Sequence, residues 1–186
     1  MNYKFDGSKV FFTSDTHFYH GNIIRFCNRP FKSVEMMNET IISNWNNTVG
    51  QDDIVFHLGD FCLGGSAEWT KMLDRLNGKI YLILGNHDLK NIRQGYINRF
   101  EHVAMQMHIE VNKQKIYLYH YPFLCFDGGY KMADIKMCGN CSDTSILGKT
   151  TQELTLLGSN IYIRHSMMSE LTTITLRRYH LNKSKE

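Results

Sequence analysis

Carboxylate, imidazole and amide side chains stand directly after four apolar runs of this chain. They are Asp15 and His17, Asp60, the adjacent Asn86, His87 and Asp88, and His120. Together these side chains suit a borderline divalent metal such as Mn, Fe or Zn, whereas a structural zinc site is commonly built from thiolates. The sequence therefore indicates a metal centre with oxygen and nitrogen ligands.

These residues can be divided between two metal ions. Two metals about 3.5–4 Å apart need a bridging ligand, and Asp60 in the tight "LGDF" turn is the natural bridge. Asp15 and His17 can both reach one metal if the strand bends between them, and Asn86 and His120 would supply the second. Such a pair acidifies a bridging water and clamps a phosphoryl oxygen, so we expect phosphoester hydrolysis.

His87 stands beside a predicted ligand without being needed as one. It is placed to protonate a leaving group or to stabilise the charge that develops there, and Asp88 could fix its tautomer. We therefore assign His87 and Asp88 as the candidate catalytic residues.

The apolar runs that precede these residues alternate with helical patterns. Strands are predicted over 9–15, 52–60, 79–88, 102–111 and 115–121, and helices over 33–47, 66–78 and about 90–99. Apolar strands separated by helices indicate a buried α/β sheet. Because such sheets place their sites outside the carboxyl ends of their strands, the polar residues are expected to meet in one cleft.

Four blocks of this sequence stand in the order and context of a known family: "SDTH" (14–17), "LGDF" (58–61), "LGNHD" (84–88) and "YHYP" (119–122). They resemble the D-x-H, G-D, G-N-H-D and H blocks of the calcineurin-like metallophosphoesterases, over about residues 1–130. The segment "FFTSDTHFYHGNIIRFCNRPF" (11–31) is especially similar to a small bacterial and phage branch of that family. One block alone is a weak signal, whereas four in order are a strong one.

The resemblance implies a β-sandwich flanked by helices (αββα), a dinuclear metal centre and hydrolysis of a phosphomonoester or phosphodiester. It also implies a further G-H-x-H block whose two histidines complete the metal sites. This sequence does not contain that block. We therefore expect an incomplete or aberrant C-terminal part that lacks strands of the second sheet, and impaired activity.

Several of these side chains have ordinary alternatives. Asp15 and Asp60 could be common strand-end or turn carboxylates, and a histidine such as His120 after an apolar strand is usually buried and hydrogen bonded. His20 and His57 match no ligand position, and contact with a ligand or with substrate is a minor alternative for each. Cys27 and Cys62 are expected to be small apolar fillers of the core, and His102 and His108 to lie at an edge or surface.

Length and composition limit the class of protein. A chain of 186 residues with 42% hydrophobic and 21% charged residues is expected to form one globular domain, over residues 1–186. Its start has no apolar signal region and no run approaches the roughly 20 apolar residues of a membrane span, so we expect a cytoplasmic protein without membrane contact. The odd number of five cysteines favours reduced thiols.

The charge distribution bears on the partner. The net charge is +3, but residues 1–130 carry as many acidic as basic side chains. No basic face is concentrated there, so a small phosphoester is favoured over nucleic acid. A nuclease with the same fold, and a non-catalytic relic that holds little or no metal, remain the alternative interpretations.

The C-terminal segment (residues 131–186) differs from the rest of the chain in composition and pattern. Within it, "KMCGNCSDTSILG" (136–148) contains a Cys-x-x-Cys pattern. Back-translation read from the third base of each codon permits "DGRYKDVWQLFGHVH" over this region, which holds a G-H-x-H where the resemblance places it. We hypothesise that the coding sequence slipped frame near residues 128–132. Cys138 and Cys141 are then accidents of frame and not ligands, whereas the competing interpretation is a genuinely divergent C-terminal extension.

The nucleotide sequence of the gene tests this hypothesis directly. We predict that the alternative frame around codon 140 encodes G-H-x-H. A gene whose alternative frame lacks that block would contradict the hypothesis and leave residues 131–186 as a divergent extension.

Overall fold

The computed structural model describes residues 3–93, 98–121, 154–157, 160–163 and 177–178. The strands are β1 (Tyr3–Phe5), β2 (Val10–Thr13), β3 (Ile54–His57), β4 (Lys79–Ile83), β5 (His102–Ala104), β6 (Gln106–Val111), β7 (Gln114–Tyr119), β8 (Leu154–Leu157), β9 (Asn160–Ile163) and β10 (Arg177–Arg178). The helices are α1 (Gly21–Phe26), α2 (Val34–Thr48), α3 (Ser66–Leu73) and α4 (Leu89–Arg93), with a 3₁₀ turn at Gly7–Lys9. Among these described residues, no helix combines the length and the apolar character needed to cross a bilayer.

The strands form two five-stranded sheets. The first has the order β10-β2-β3-β4-β5, in which β2 to β5 are parallel and β10 is antiparallel to β2. The second has the order β1-β6-β7-β9-β8 and is mixed. Because β2, β3 and β4 run in the same direction, the loops that follow them leave the first sheet at one edge, where the predicted site residues lie.

Alternation along the strands of the first sheet supplies two cores. Side chains on one face, such as Phe11, Val55 and Leu82, pack against helical residues that include Trp45 of α2 and Trp69 of α3. Side chains on the other face pack against apolar residues of β6 and β7 in the second sheet. The central strands β2 and β3 are therefore buried on both sides, as their continuous apolar sequence predicts.

This layering confirms the predicted β-sandwich with flanking helices. The helices α1, α2 and α3 bury Ile23, Met37 and Met72 on the outer face of the first sheet. In the described residues, the core between the two sheets contains no helical residue. Helices on the outer face of the second sheet stay a prediction.

The helices and strands predicted up to residue 93 are present, several with shorter bounds, as in α3, which ends at Leu73 rather than at residue 78. The Ser33 hydroxyl accepts a hydrogen bond from the amide of Met36 at 3.2 Å, which confirms it as the cap of α2. The single strand predicted over 102–111 is instead two strands, because β5 joins the first sheet and β6 joins the second. The sequence interpretation did not foresee β1 or α1, since three and six residues are too short for a clear periodic pattern.

The C-terminal segment corrects one expectation. In its described residues, β9 pairs in parallel with β7, β8 pairs with β9, and β10 pairs with β2. The expectation that this segment supplies no strands to the second sheet is therefore wrong for residues 154–157 and 160–163. Residues 136–148, with Cys138 and Cys141, lie outside the described residues.

Candidate metal centre

The loops after β2 and β3 are held together by main-chain hydrogen bonds beyond the ends of the strands. The amide of Asp15 donates to the carbonyl of Gly59 at 2.9 Å, and the amide of His17 donates to the carbonyl of Asp60 at 3.0 Å. Asp15, His17 and Asp60 have φ angles of 53°, 50° and 56°. Left-handed backbone is unfavourable for such residues and is concentrated at functional sites, so the loops hold these three side chains in strained positions.

The Asp60 carboxylate lies at the centre of the predicted ligands. Its Oδ2 is 3.7 Å from Nε2 of His17 and 4.0 Å from Nε2 of His87, while its Oδ1 is 3.8 Å from Nε2 of His120. On the His17 side, Oδ1 of Asp15 is 3.6 Å from the same Nε2. One carboxylate therefore faces two groups of ligands with its two oxygens, as the sequence predicts for a bridge.

The second group of ligands is Asn86 with His120. The Leu58 carbonyl can only accept a hydrogen bond, so the His120 Nδ1 at 2.8 Å carries the proton and donates it. In the neutral ring, Nε2 then keeps its lone pair, and it lies 3.3 Å from the amide oxygen of Asn86. Two acceptor atoms that face each other at this distance fit a shared cation between them.

The donor set also fits a divalent metal on the other side of Asp60. Side-chain atoms of His17, Asp60 and His87 that could hold a metal lie within 4.8 Å of one another, and His17 and Asp60 are buried. Carboxylate, imidazole and amide oxygen suit Mn, Fe or Zn. The structure thus brings together all five predicted ligands, Asp15, His17, Asp60, Asn86 and His120, and adds His87 to their rim. We call these six residues the metal centre.

Two glycines allow the loops after β3 and β4 to approach each other. A Cβ added at Gly59, where φ is 101°, would lie 2.5 Å from His120 Nδ1 and 2.7 Å from the amide nitrogen of Gly85. A Cβ added at Gly85 would collide with Oδ1 of Asp60. The glycines of the "LGDF" and "LGNHD" blocks are therefore required by the contact of backbone with backbone and with ligands.

Asp88 has a structural place at this contact. It is fully buried, and its carboxylate accepts hydrogen bonds from the amides of Asp60 at 2.8 Å, Phe61 at 2.9 Å and Gly85 at 2.8 Å. Burial raises the pKa of Asp88 to about 7, against the lowering effect of these amide donors. The described hydrogen bonds of this carboxylate all go to main chain, so they do not support the expected role of Asp88 in fixing the tautomer of His87.

Arg29 is a supporting residue that the sequence interpretation missed. Its guanidinium donates to the carbonyl of Asp15 at 2.8 Å and to the carbonyl of Thr16 at 3.1 Å, from behind the loop that carries the first two ligands. Arginine near a predicted site is common and carries no periodic signal. Only the fold shows that the loop lies within reach of Arg29.

His57 lies under the same loop, at the end of β3. The Thr16 hydroxyl donates to the carbonyl of Phe61 at 2.7 Å, so it accepts from His57 Nε2 at 3.0 Å. Burial, the largest cause, lowers the pKa of His57 to about 3, because the charged ring would lose its hydration. His57 is therefore a neutral, buried support that touches the loop between two ligands.

His20 lies on the other side of the loop, beside His17. The Nδ1 atoms of the two rings are 3.2 Å apart, and the His20 ring is buried. Burial lowers the pKa of His20 to about 4, and the neighbouring charges of His17, His87 and Arg29 act in the same direction. His20 therefore contacts a predicted ligand, which the sequence offered only as a minor alternative.

The remaining predictions for cysteine and histidine are consistent with the structure where it describes them. Cys62 is buried in the core on the helical face, and burial raises the pKa of its thiol to about 12. Cys27 is partly buried and packs against the same core. His108 is exposed and stacks on Tyr117, and His102 is partly exposed beside Tyr3.

Two packed sheets with carboxylate, imidazole and amide side chains gathered at their strand ends define an α/β protein with a candidate metal site. A family model for calcineurin-like phosphoesterases matches residues 8–174 of the chain. The chain therefore belongs to the calcineurin-like phosphoesterase family. The match extends past residue 130, where the resemblance of the sequence blocks ends.

Two relatives and one solved structure accompany the family match. The chain is 52% identical to the uncharacterized protein MJ1445 of Methanocaldococcus jannaschii over 82 residues, which are 43% of this chain and 47% of that protein. It is 30% identical to the Gene 66 protein of Mycobacterium phage L5 over 135 residues, 63% of this chain and 65% of that protein. The chain thus spans less than two thirds of each relative.

The solved structure is that of AQ665 from Aquifex aeolicus, described as a protein of unknown function. It superposes with a TM-score of 0.50 at 31% identity, covering 61% of this chain and 60% of that one. The phage relative and this bacterial neighbour fit the small bacterial and phage branch of the family.

The buried neutral state of His57 predicts a pH-dependent contribution to stability. An unfolded histidine gains its proton near pH 6.5, whereas folded His57 does so only near pH 3, so the unfolded state binds more protons between these values. The contribution is therefore fully present above about pH 6.5 and is lost as the pH falls. Between pH 7 and pH 5, the free energy of unfolding of the wild type should fall by about 2 kcal/mol more than that of His57→Gln.

Urea unfolding of metal-free protein at a series of pH values measures this difference. Glutamine keeps an N–H donor for Thr16 but does not titrate, and His108→Gln at an exposed position is the matched control. Parallel pH profiles for the wild type and His57→Gln would show that His57 is protonated in the folded protein as readily as in the unfolded chain.

Proposed function

We propose that this protein hydrolyses a small phosphomonoester or phosphodiester with the help of two divalent metal ions, Mn, Fe or Zn. The observation that carries this proposal is the position of Asp60. Its Oδ2 faces His17 and its Oδ1 faces His120, each at less than 4 Å from a ring nitrogen. A buried carboxylate with ligands on both sides is the arrangement expected of a bridge between two metals.

The ligands divide into two groups around that bridge. Asp15 and His17 would hold one ion together with Asp60, and Asn86 and His120 would hold the other together with Asp60. When bound, two such ions acidify a water molecule and neutralise charge on the phosphoryl group. The loops that carry the ligands are fixed by Arg29, Asp88 and the close contact of Gly59 with Gly85, so little reorganisation is required on binding.

His87 is proposed as the residue that handles the proton of the leaving group. Its side chain is about one third exposed (34%), in contrast to His17 and His120, and so it is open to a substrate. Its amide donates to Oδ1 of Asp60 at 3.0 Å, which holds its backbone at the bridge while the ring remains at the rim. An imidazole there can donate a proton to the departing oxygen.

The missing G-H-x-H block bears on how active this chain is. If residues 131–186 are read out of frame, two histidine ligands are absent, and neighbouring groups cannot replace missing ligands. We therefore propose that the chain as written is impaired and that translation in the alternative frame from about residue 131 restores activity. A non-catalytic relic is the second candidate, because the sequence contains no G-H-x-H.

Hydrolysis of bis(p-nitrophenyl) phosphate with added manganese tests this proposal. The chain with the restored frame should hydrolyse the diester, and the chain as written should do so far more slowly, because its metal sites lack two ligands. Equal rates in the two proteins would contradict the impairment. No hydrolysis of mono- or diesters by either protein would favour the relic.

Variants of His87 in the frame-restored chain serve as the internal control of the same assay. His87→Asn removes the proton donor and keeps a polar side chain, so it should slow the release of a poor alkyl leaving group much more than that of p-nitrophenolate. An equal loss for the two leaving groups would show that His87 does not donate this proton.

A further inference from the structure

The His20 side chain contacts the metal centre and does not cap the helix that follows it. It occupies the cap position of α1, yet its side chain makes no capping hydrogen bond there. Instead, its Nδ1 lies 3.2 Å from Nδ1 of His17. Both rings are buried, with 8% of His20 and 7% of His17 exposed, so this contact is shielded from water that could compete for it.

The contact between the two rings requires one donor and one acceptor. The other nitrogen of His17, Nε2, is 3.6 Å from Oδ1 of Asp15 and 3.7 Å from Oδ2 of Asp60. Nε2 therefore lies on the side of the carboxylates, where a metal would be held. A ligating nitrogen must present its lone pair, so the proton of the neutral His17 ring is on Nδ1, and His17 is the donor.

We infer that His20 is a positioning residue of the metal centre, whose Nδ1 accepts the Nδ1–H of His17 and so fixes the tautomer and ring orientation in which His17 presents Nε2 to a metal. This inference rests on the proposed function. The proton of His20 is then on Nε2. The orienting carboxylate or carbonyl that usually accepts from a ligating histidine is here replaced by a second imidazole.

The place of His20 in the fold makes it suited to this role. Its amide donates to the carbonyl of His17 at 3.0 Å, and the amide of Ile23 donates to the carbonyl of His20 at 3.1 Å, so the residue is fixed between the ligand loop and α1. The centroid of the His20 ring lies 5.5 Å from that of His87 and 6.5 Å from that of Phe26, and these neighbouring rings limit its rotation. His17 has a left-handed backbone conformation, and a fixed hydrogen-bond acceptor keeps its ring in one orientation.

Manganese affinity of two His20 variants of the full chain tests the inference. His20→Phe keeps the ring and removes the acceptor, and it should weaken manganese binding about 10- to 100-fold. His20→Asn places an amide oxygen close to the position of Nδ1, and it should recover most of that loss. His108→Phe, at an exposed position of β6 outside the metal centre, should leave the affinity unchanged.

Isothermal titration with manganese gives the affinities, and thermal unfolding of the same metal-free variants shows whether each is folded. Affinity of His20→Phe within twofold of the wild type would overturn the inference. Equal weakening in His20→Asn and His20→Phe would also overturn it, because a role in packing alone does not depend on the acceptor.

The tautomers of the two histidines can be read in the wild type without any variant. In metal-free protein, ¹⁵N-edited histidine spectra should show His17 protonated on Nδ1 and His20 on Nε2. The reverse assignment would overturn the inference. A wild-type chain that binds no manganese would contradict the proposed function. A wild type that binds manganese, together with a His20→Phe variant of unchanged affinity, would contradict the role of His20 alone. In both cases the tautomer spectra show whether the hydrogen bond between His17 and His20 is present.

Discussion

The metal centre depends on the close approach of the loops after β3 and β4, which the Asp88 carboxylate holds together. Asp88 accepts hydrogen bonds from the amides of Asp60 and Phe61 on one loop and of Gly85 on the other. The approach is close enough that neither Gly59 nor Gly85 tolerates a Cβ. Without this approach of the two loops, Asp60 would not lie between the two groups of ligands. The distance between those groups is set by the backbone of the loops, because the ligand side chains are short.

A second set of residues holds the loop after β2 against this contact. Arg29 binds two carbonyls of the loop, His57 contacts it through Thr16, and His20 contacts His17. The left-handed conformations of Asp15 and His17 are unfavourable in isolation, so these contacts have to stabilise them. The metal centre is therefore a cluster of carboxylate and imidazole side chains whose loop is held in place by hydrogen bonds to neighbouring polar side chains.

The sequence predicts the parts of this arrangement that depend on pattern. Apolar runs ending in Asp, His or Asn locate β2, β3, β4 and β7, and the parallel order of the first three brings Asp15, Asp60 and Asn86 together. The role of Asp88 could not be predicted in this way, because its partners are amides of loops remote in sequence. Arg29 and His20 carry no periodic signal, and the division of residues 102–111 between two sheets follows from pairing partners that only the fold supplies.

Asp60 is proposed to bridge two groups of metal ligands, and the binding of manganese to each chain tests this role most directly. Equilibrium dialysis followed by elemental analysis would be applied to the wild type, Asp60→Asn and the exposed control His108→Asn. We predict that the wild type binds manganese and that Asp60→Asn lowers the affinity for every manganese ion bound. The control should leave these affinities unchanged. A wild type that binds no manganese, or an Asp60→Asn variant that binds as the wild type does, would contradict the claim.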